Sequence, residues 1–153
     1  MSATLHDRTA SIGRVVATLD LTDPVAARTT LSAAFSTEDT SALDRVLREV
    51  HAAGTLTPRQ ATPNVWFGRV AKPDADHGGC SVDAVDIQGA GAGHRHPRGE
   101  VSWCIPLEGD PRFEGVASGW AVLAADSHHV PTVTGGRMLI VYWIPGGEVV
   151  WDG

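Results

Sequence analysis

Lysine is almost missing from this sequence. Lys72 stands alone, and with the scattered arginines the basic side chains total 12 against 18 acidic ones, a formal net charge of −6. A nucleic-acid binder needs a basic stripe to neutralise phosphates, and none occurs, so nucleic acid is not expected as a partner. Long apolar runs are missing too: nothing approaches the roughly 18 consecutive apolar residues of a membrane span, and no membrane partner is expected. The opening Met1-Ser2-Ala3-Thr4-Leu5-His6-Asp7 lacks the basic start and apolar stretch of a secretory leader. Cysteine is scarce. Cys80 and Cys104 read as free thiols of a reducing compartment, and the expectation is a soluble cytoplasmic protein.

What is present fits a folded chain. Its 153 residues are 42% hydrophobic and 20% charged, which excludes disorder and suits one domain, residues 1–153. A chain of this size buries enough surface to hold a core without disulfides or a structural metal. Glycine (17) and proline (9) gather in the second half, which predicts frequent turns there and a β-rich architecture.

Residues 1–55 carry helical periodicity. Ile12, Val15, Val16 and Leu19 recur at the i, i+3, i+4, i+7 spacing of one helical face. Asp23-Pro24 reads as a helix start, a capping carboxylate followed by proline at the first helical position, with Leu31 and Phe35 on the buried face. A third helix is predicted from about Ser41, with Leu43, Val46, Leu47 and Val50 on its stripe and Gly54 as its left-handed stop. From Thr55 the period changes, and residues 56–153 read as strands near 64–70, 81–88, 100–107, 120–124, 137–144 and 148–151. Short strands with Gly/Pro punctuation argue for a sandwich or barrel rather than a βαβ sheet. His6, His51 and His77 have no partners at useful spacing and are expected on the surface or in loops.

One segment stands apart: His94-Arg95-His96-Pro97-Arg98-Gly99-Glu100. In an extended strand, residues two apart point to the same face, so His94 and His96 present both imidazoles to one place. Pro97-Arg98-Gly99 can reverse the chain and return the Glu100 carboxylate to it. Two imidazoles and a carboxylate suit a divalent transition metal (Fe, Mn, Ni, Co or Zn), among which affinity alone does not choose. Downstream, His128 and His129 offer a fourth ligand at the end of another strand. Adjacent strand residues point oppositely, so one of the two serves.

The two segments resemble the two motifs of the cupin superfamily. His94, His96 and Glu100 match the first. In the second, Ala124 and Asp126 replace the usual proline and glycine and His129 keeps the histidine, which favours His129 over His128. A narrower resemblance, to the 4-hydroxylaminobenzoate lyase family, rests on Gly93 to Glu100, Gly119-Trp120, His129 to Arg137 and Tyr142-Trp143-Ile144-Pro145-Gly146-Gly147. It implies a cupin-type β-barrel (double-stranded β-helix) behind an N-terminal helical segment. It also implies a carbon–nitrogen lyase of nitroarene catabolism that turns 4-hydroxylaminobenzoate into 3,4-dihydroxybenzoate and ammonia.

The metal ligands would then be His94, His96, Glu100 and His129, with Glu100 and His129 also catalytic, and the partner a small aromatic substrate. Alternation after Glu100 turns Ser102 and Cys104 inward with it, while Val101, Trp103, Ile105 and Leu107 face outward. That apolar row needs cover from the helices or from a second subunit, so a homodimer is possible. Ser102, Cys104, Arg137 and Tyr142 are candidates for substrate contact. For a substrate carboxylate, Arg95, Arg98 and Arg137 are the nearby forks, with Arg95 turned from the histidine face. Two rival functions are an O2-dependent cupin dioxygenase acting on a small aromatic or thiol, and a non-catalytic small-molecule binder.

Overall fold

The structure is a computed structural model that describes residues 3–153. Three helices come first: α1 (Ala3–Val16), α2 (Pro24–Ala34) and α3 (Thr37–Ala52). Asp23 caps α2 by accepting from the Ala26 N–H, and Pro24 fills the first helical position. The third helix starts earlier than its apolar stripe predicts. Ser36 and Asp39 form a reciprocal capping box that satisfies two free N–H groups and begins α3 at Thr37.

Nine strands follow: β1 (Arg59–Thr62), β2 (Val65–Ala71), β3 (Cys80–Ala90), β4 (His94–His96), β5 (Glu100–Phe113), β6 (Gly119–Leu123), β7 (Ser127–His129), β8 (Thr132–Pro145) and β9 (Val150–Trp151). They form two antiparallel sheets, a larger one in the order β1-β2-β3-β8-β5-β6 and a smaller one in the order β7-β4-β9. This corrects the expected cupin-type barrel. Among the described residues no ladder joins the two sheets, and β1, β6, β7 and β9 are edges, so the sheets do not close into a barrel. The cause is local: β4 and β7 are three residues each, and turns at 97–99 and 124–126 divert the chain before either can pair with β5 or β6.

The larger sheet has two unlike faces. On one, Val82, Ala84, Val101, Trp103, Ile105, Leu139, Val141 and Trp143 pack beneath Leu5, Ile12, Val16, Leu31, Leu43 and Leu47 of the helices. Trp143 Nε1 donates to the Thr9 carbonyl of α1 (3.0 Å), and Trp103 Nε1 to Asp44 of α3 (2.5 Å). The row at Val101, Trp103, Ile105 and Leu107 is therefore covered by helices of its own chain. The other face carries Ile87, Cys104, Ala121, Met138 and Ile140, together with the polar side chains described below.

Two of the histidines expected on the surface or in loops are structural, one of them within a loop. His77 is fully buried between Asp74 (Nδ1–Oδ1 2.7 Å) and Thr9 (Nε2–Oγ1 2.9 Å), fastening the β2–β3 loop to α1. His51, near the end of α3, meets Asp86 of β3 at 2.9 Å. Asp74 is three residues from His77, but Thr9 and Asp86 lie 68 and 35 residues from their histidines, where no local spacing reveals them.

Leu47 is fully buried in the helix–sheet core. Leu47→Ala should cost about 2–5 kcal/mol in denaturant unfolding, because it removes buried methyl groups and leaves a cavity. Metal content should stay unchanged, since the helices lie on the far face of the sheet from the histidines.

Candidate metal centre

The smaller sheet exists to place three imidazoles. In the β4–β7 ladder His94 stands opposite His129 and His96 opposite Ser127, so the period of two delivers His94, His96 and His129 to one face. Their Nε2 atoms lie 2.8 Å (His94–His96), 3.1 Å (His96–His129) and 3.1 Å (His129–His94) apart. His128 takes the opposite face, half-exposed, with its Nε2 on the Asp152 carboxylate at 3.0 Å. The choice left open by adjacency is thus resolved in geometry: His129 joins the cluster and His128 does not.

The second motif's missing glycine is explained here. Asp126 occupies that position with φ +64°, the left-handed conformation that glycine favours and that Asp tolerates better than most residues. Its N–H donates to the His96 carbonyl (2.7 Å), and its carboxylate is ion-paired with Arg95 on the outer side of β4. The turn before Glu100 is as constrained. Gly99 has φ +87°, and a Cβ there would sit 2.9 Å from the Leu123 carbonyl oxygen.

Outer contacts set the imidazole tautomers. His94 Nδ1 donates to the Ala92 carbonyl (2.8 Å), and His129 Nδ1 donates to a Glu114 carboxylate oxygen (3.2 Å). Both rings therefore turn an Nε2 lone pair toward the centre. Burial, reinforced by the neighbouring imidazoles, pushes His96 down to about 3, and burial also lowers His94, so these rings are neutral at pH 7 as metal ligands must be. Three ring nitrogens this close share either a proton or a cation. The three histidines fit a divalent metal ion.

Glu100 stands beside the cluster rather than within it. Its Oε1 is 3.6 Å from His96 Nε2, Ser102 Oγ donates to its Oε2 (3.2 Å), and burial pushes the carboxyl up to about 8. Ser102 is fully buried and touches Glu100. Cys104 is also buried, its thiol pushed up to about 12 by burial, so it packs as a small apolar group. Tyr142 lies opposite Ser102 on β8, and its phenol is raised by burial.

Arg137 does not join them. It shares the helix-side face with Leu139 and binds Asp86 through Nε (2.6 Å) and Nη2 (2.7 Å), and Glu108 through Nη1 (3.0 Å). Arg98 approaches Glu148 at 4.0 Å. Among the residues that sequence reasoning missed, Glu114 is the clearest; its φ of +49° and its bond to His129 belong to a turn that carries no motif.

The site is a three-histidine cluster able to hold a divalent metal ion, and its two segments carry the cupin motifs. Comparison with known proteins narrows this further. A family model described as 4-hydroxylaminobenzoate lyase matches residues 10–151, and the chain belongs to that family. A 4-hydroxylaminobenzoate lyase from Nocardioides sp. (strain LMS-CY) is 29% identical over 98 residues, 59% of this chain and 58% of that protein. Another from Pseudomonas putida is 32% identical over 63 residues, 39% of this chain and 36% of that protein. The chain thus matches little more than half of the first curated relative and about a third of the second. Among solved structures, an RmlC-like cupin protein from Ralstonia eutropha JMP134 superposes with TM-score 0.47 and 12% identity, over 64% of this chain and 66% of that one.

Glu114→Ala should weaken metal binding about 10–100-fold in a chelator competition, the usual cost of losing an outer-shell partner. Glu114→Gln, which keeps an acceptor for Nδ1–H, should recover much of that loss. Glu114→Gly should not, although it removes the left-handed strain. A glycine variant that binds as tightly as the native chain would assign the effect to the turn's backbone instead.

Proposed function

We propose that this chain is a metal-dependent lyase that converts an arylhydroxylamine of the 4-hydroxylaminobenzoate type into a catechol and ammonia. The observation that carries this reading is the histidine cluster with its fixed tautomers, set beside a buried carboxyl in a chain of the lyase family. The overall change is redox-neutral and consumes one water: the N–O bond breaks, the ring gains oxygen, and water displaces the amino group as ammonia.

His94, His96 and His129 would hold the metal, with Glu100 as the fourth ligand proposed from the motif. Held there, a divalent ion would supply Lewis acidity toward the hydroxylamine oxygen, a poor leaving group as hydroxide. Glu100 is the group placed to hold and move a proton at that oxygen, oriented by the Ser102 hydroxyl. The Tyr142 phenol faces the same space from β8 and is a candidate for substrate contact. The apolar side chains of Ile140, Met138 and Ile87 line the sheet beyond it and exclude water from the ring.

Replacing His94, His96 or His129 by alanine should lower metal content and turnover together, whereas His128→Ala should leave both near the native level. Turnover of 4-hydroxylaminobenzoate under nitrogen, followed by ammonia release and catechol absorbance, tests the reaction. Activity that requires O2 would replace the lyase with a dioxygenase. Metal-stripped protein that works as fast as the loaded form would remove the metal from the mechanism.

A further inference from the structure

A row of polar side chains crosses the face of the larger sheet turned away from the helices. Arg69 of β2 stands opposite Asp83 of β3, Asp83 opposite Tyr142 of β8, and Tyr142 opposite Ser102 of β5. Ser102 then binds Glu100, which reaches His96. Arg69 is four residues from Val65, Asp83 two from Val85, Tyr142 two from Ile140 and Ser102 two from Cys104, so alternation puts the row on the face of those apolar side chains. The row thus runs from a guanidinium at one end to the metal centre at the other.

Two donors in it are unused. Arg69 places Nε and Nη2 on Asp83 (3.0 and 3.5 Å), which leaves Nη1 without a hydrogen bond to any described residue. The Tyr142 hydroxyl has none either, although Asp83 and Ser102 stand opposite its residue on the two neighbouring strands. Asp83 is mostly buried while the Arg69 side chain is 51% exposed, so the carboxylate acts as a fixed rest that aims a mobile fork. The arginines nearer the histidines are engaged elsewhere: Arg95 with Asp126, Arg98 near Glu148, Arg137 with Asp86.

We propose that Arg69 binds the carboxylate of the substrate, with the Tyr142 hydroxyl as a second donor along the same row. The inference rests on the lyase reading for the identity of the substrate, but its chemistry is general to an aryl carboxylate. The guanidinium leans one strand inward onto Asp83, leaving about two strand spacings, ~10 Å, to Ser102. A para-substituted ring placed there keeps its carboxylate at Arg69 and turns its nitrogen substituent toward Glu100 and the histidines. Arginine suits this end because its planar fork meets both carboxylate oxygens while Asp83 holds the remaining edge.

Binding, rather than turnover, tests the assignment. Benzoate and its neutral isostere benzamide are titrated calorimetrically into the metal-loaded full chain, the native form and Arg69→Met, Arg69→Lys and Tyr142→Phe variants. The native chain should prefer benzoate by about 10–100-fold, the range expected of a charge-assisted hydrogen-bonded pair. Arg69→Met should abolish the preference, Arg69→Lys should keep part of it, and Tyr142→Phe should weaken benzoate more than benzamide. An Arg69→Met variant that still prefers benzoate overturns the proposal, as does a native chain that does not discriminate. The lyase reading fails separately: a chain that binds benzoate through Arg69 yet releases no ammonia from 4-hydroxylaminobenzoate under nitrogen keeps the anchor and loses the reaction.

Discussion

Three imidazole nitrogens are held within 3.1 Å of one another, and two of them, on His94 and His129, have a lone pair turned inward. Such an arrangement persists only where the backbone leaves the rings nowhere else to go. Here the constraint is the β4–β7 register, which sets His94 against His129, and the two sharp turns that bracket it. The Ala92 carbonyl and the Glu114 carboxylate then remove the remaining freedom by engaging the far side of two rings. A divalent cation held at the centre would accept the lone pairs that these contacts aim at it.

The larger sheet supplies the rigidity this requires by keeping two chemistries on opposite faces. Tryptophans and aliphatic side chains fasten one face to the helices, with indole N–H groups satisfied by Thr9 and Asp44. The opposite face is then free to carry groups that a core would not tolerate: a buried carboxyl with raised affinity for its proton, an unpartnered phenol and a half-exposed guanidinium. Alternation along β5 and β8 is what separates them. Val101 and Trp103 go to the helices, while Glu100 and Ser102 between them go to the site.

Much of this was legible where the signal is local. The period of two in His94-Arg95-His96, the turn residues before Glu100 and the Asp23-Pro24 start all act within a few residues, and each forms as its spacing implies. Asp126 was legible only as a departure from a motif; the structure shows an aspartate in the glycine's backbone conformation. Contacts set by register were not legible. Arg69 meets Asp83 across a hairpin, and Glu114 meets His129 from a turn without a motif. Arg137 was misplaced although β8 carried the correction: it lies five residues before Tyr142, an odd number, so the two belong to opposite faces of one strand. Barrel closure fails at the turns 97–99 and 124–126, whose residues mark a chain reversal but not how short the strands beside them are.

All three histidines of the centre ride on the smaller sheet, whereas Glu100, Tyr142 and Arg69 ride on the larger. Without a shared ladder, the gap between them is set by the short connections at 91–93, 97–99, 124–126 and 130–131 rather than by strand pairing. Those connections act as spacers in a caliper. Changing the length or stiffness of one would alter how far the metal sits from the acid and the anchor while leaving every side chain of the site in place. On the reading proposed above, the length of these loops would set the room for a substrate through residues that touch neither the histidines nor Glu100.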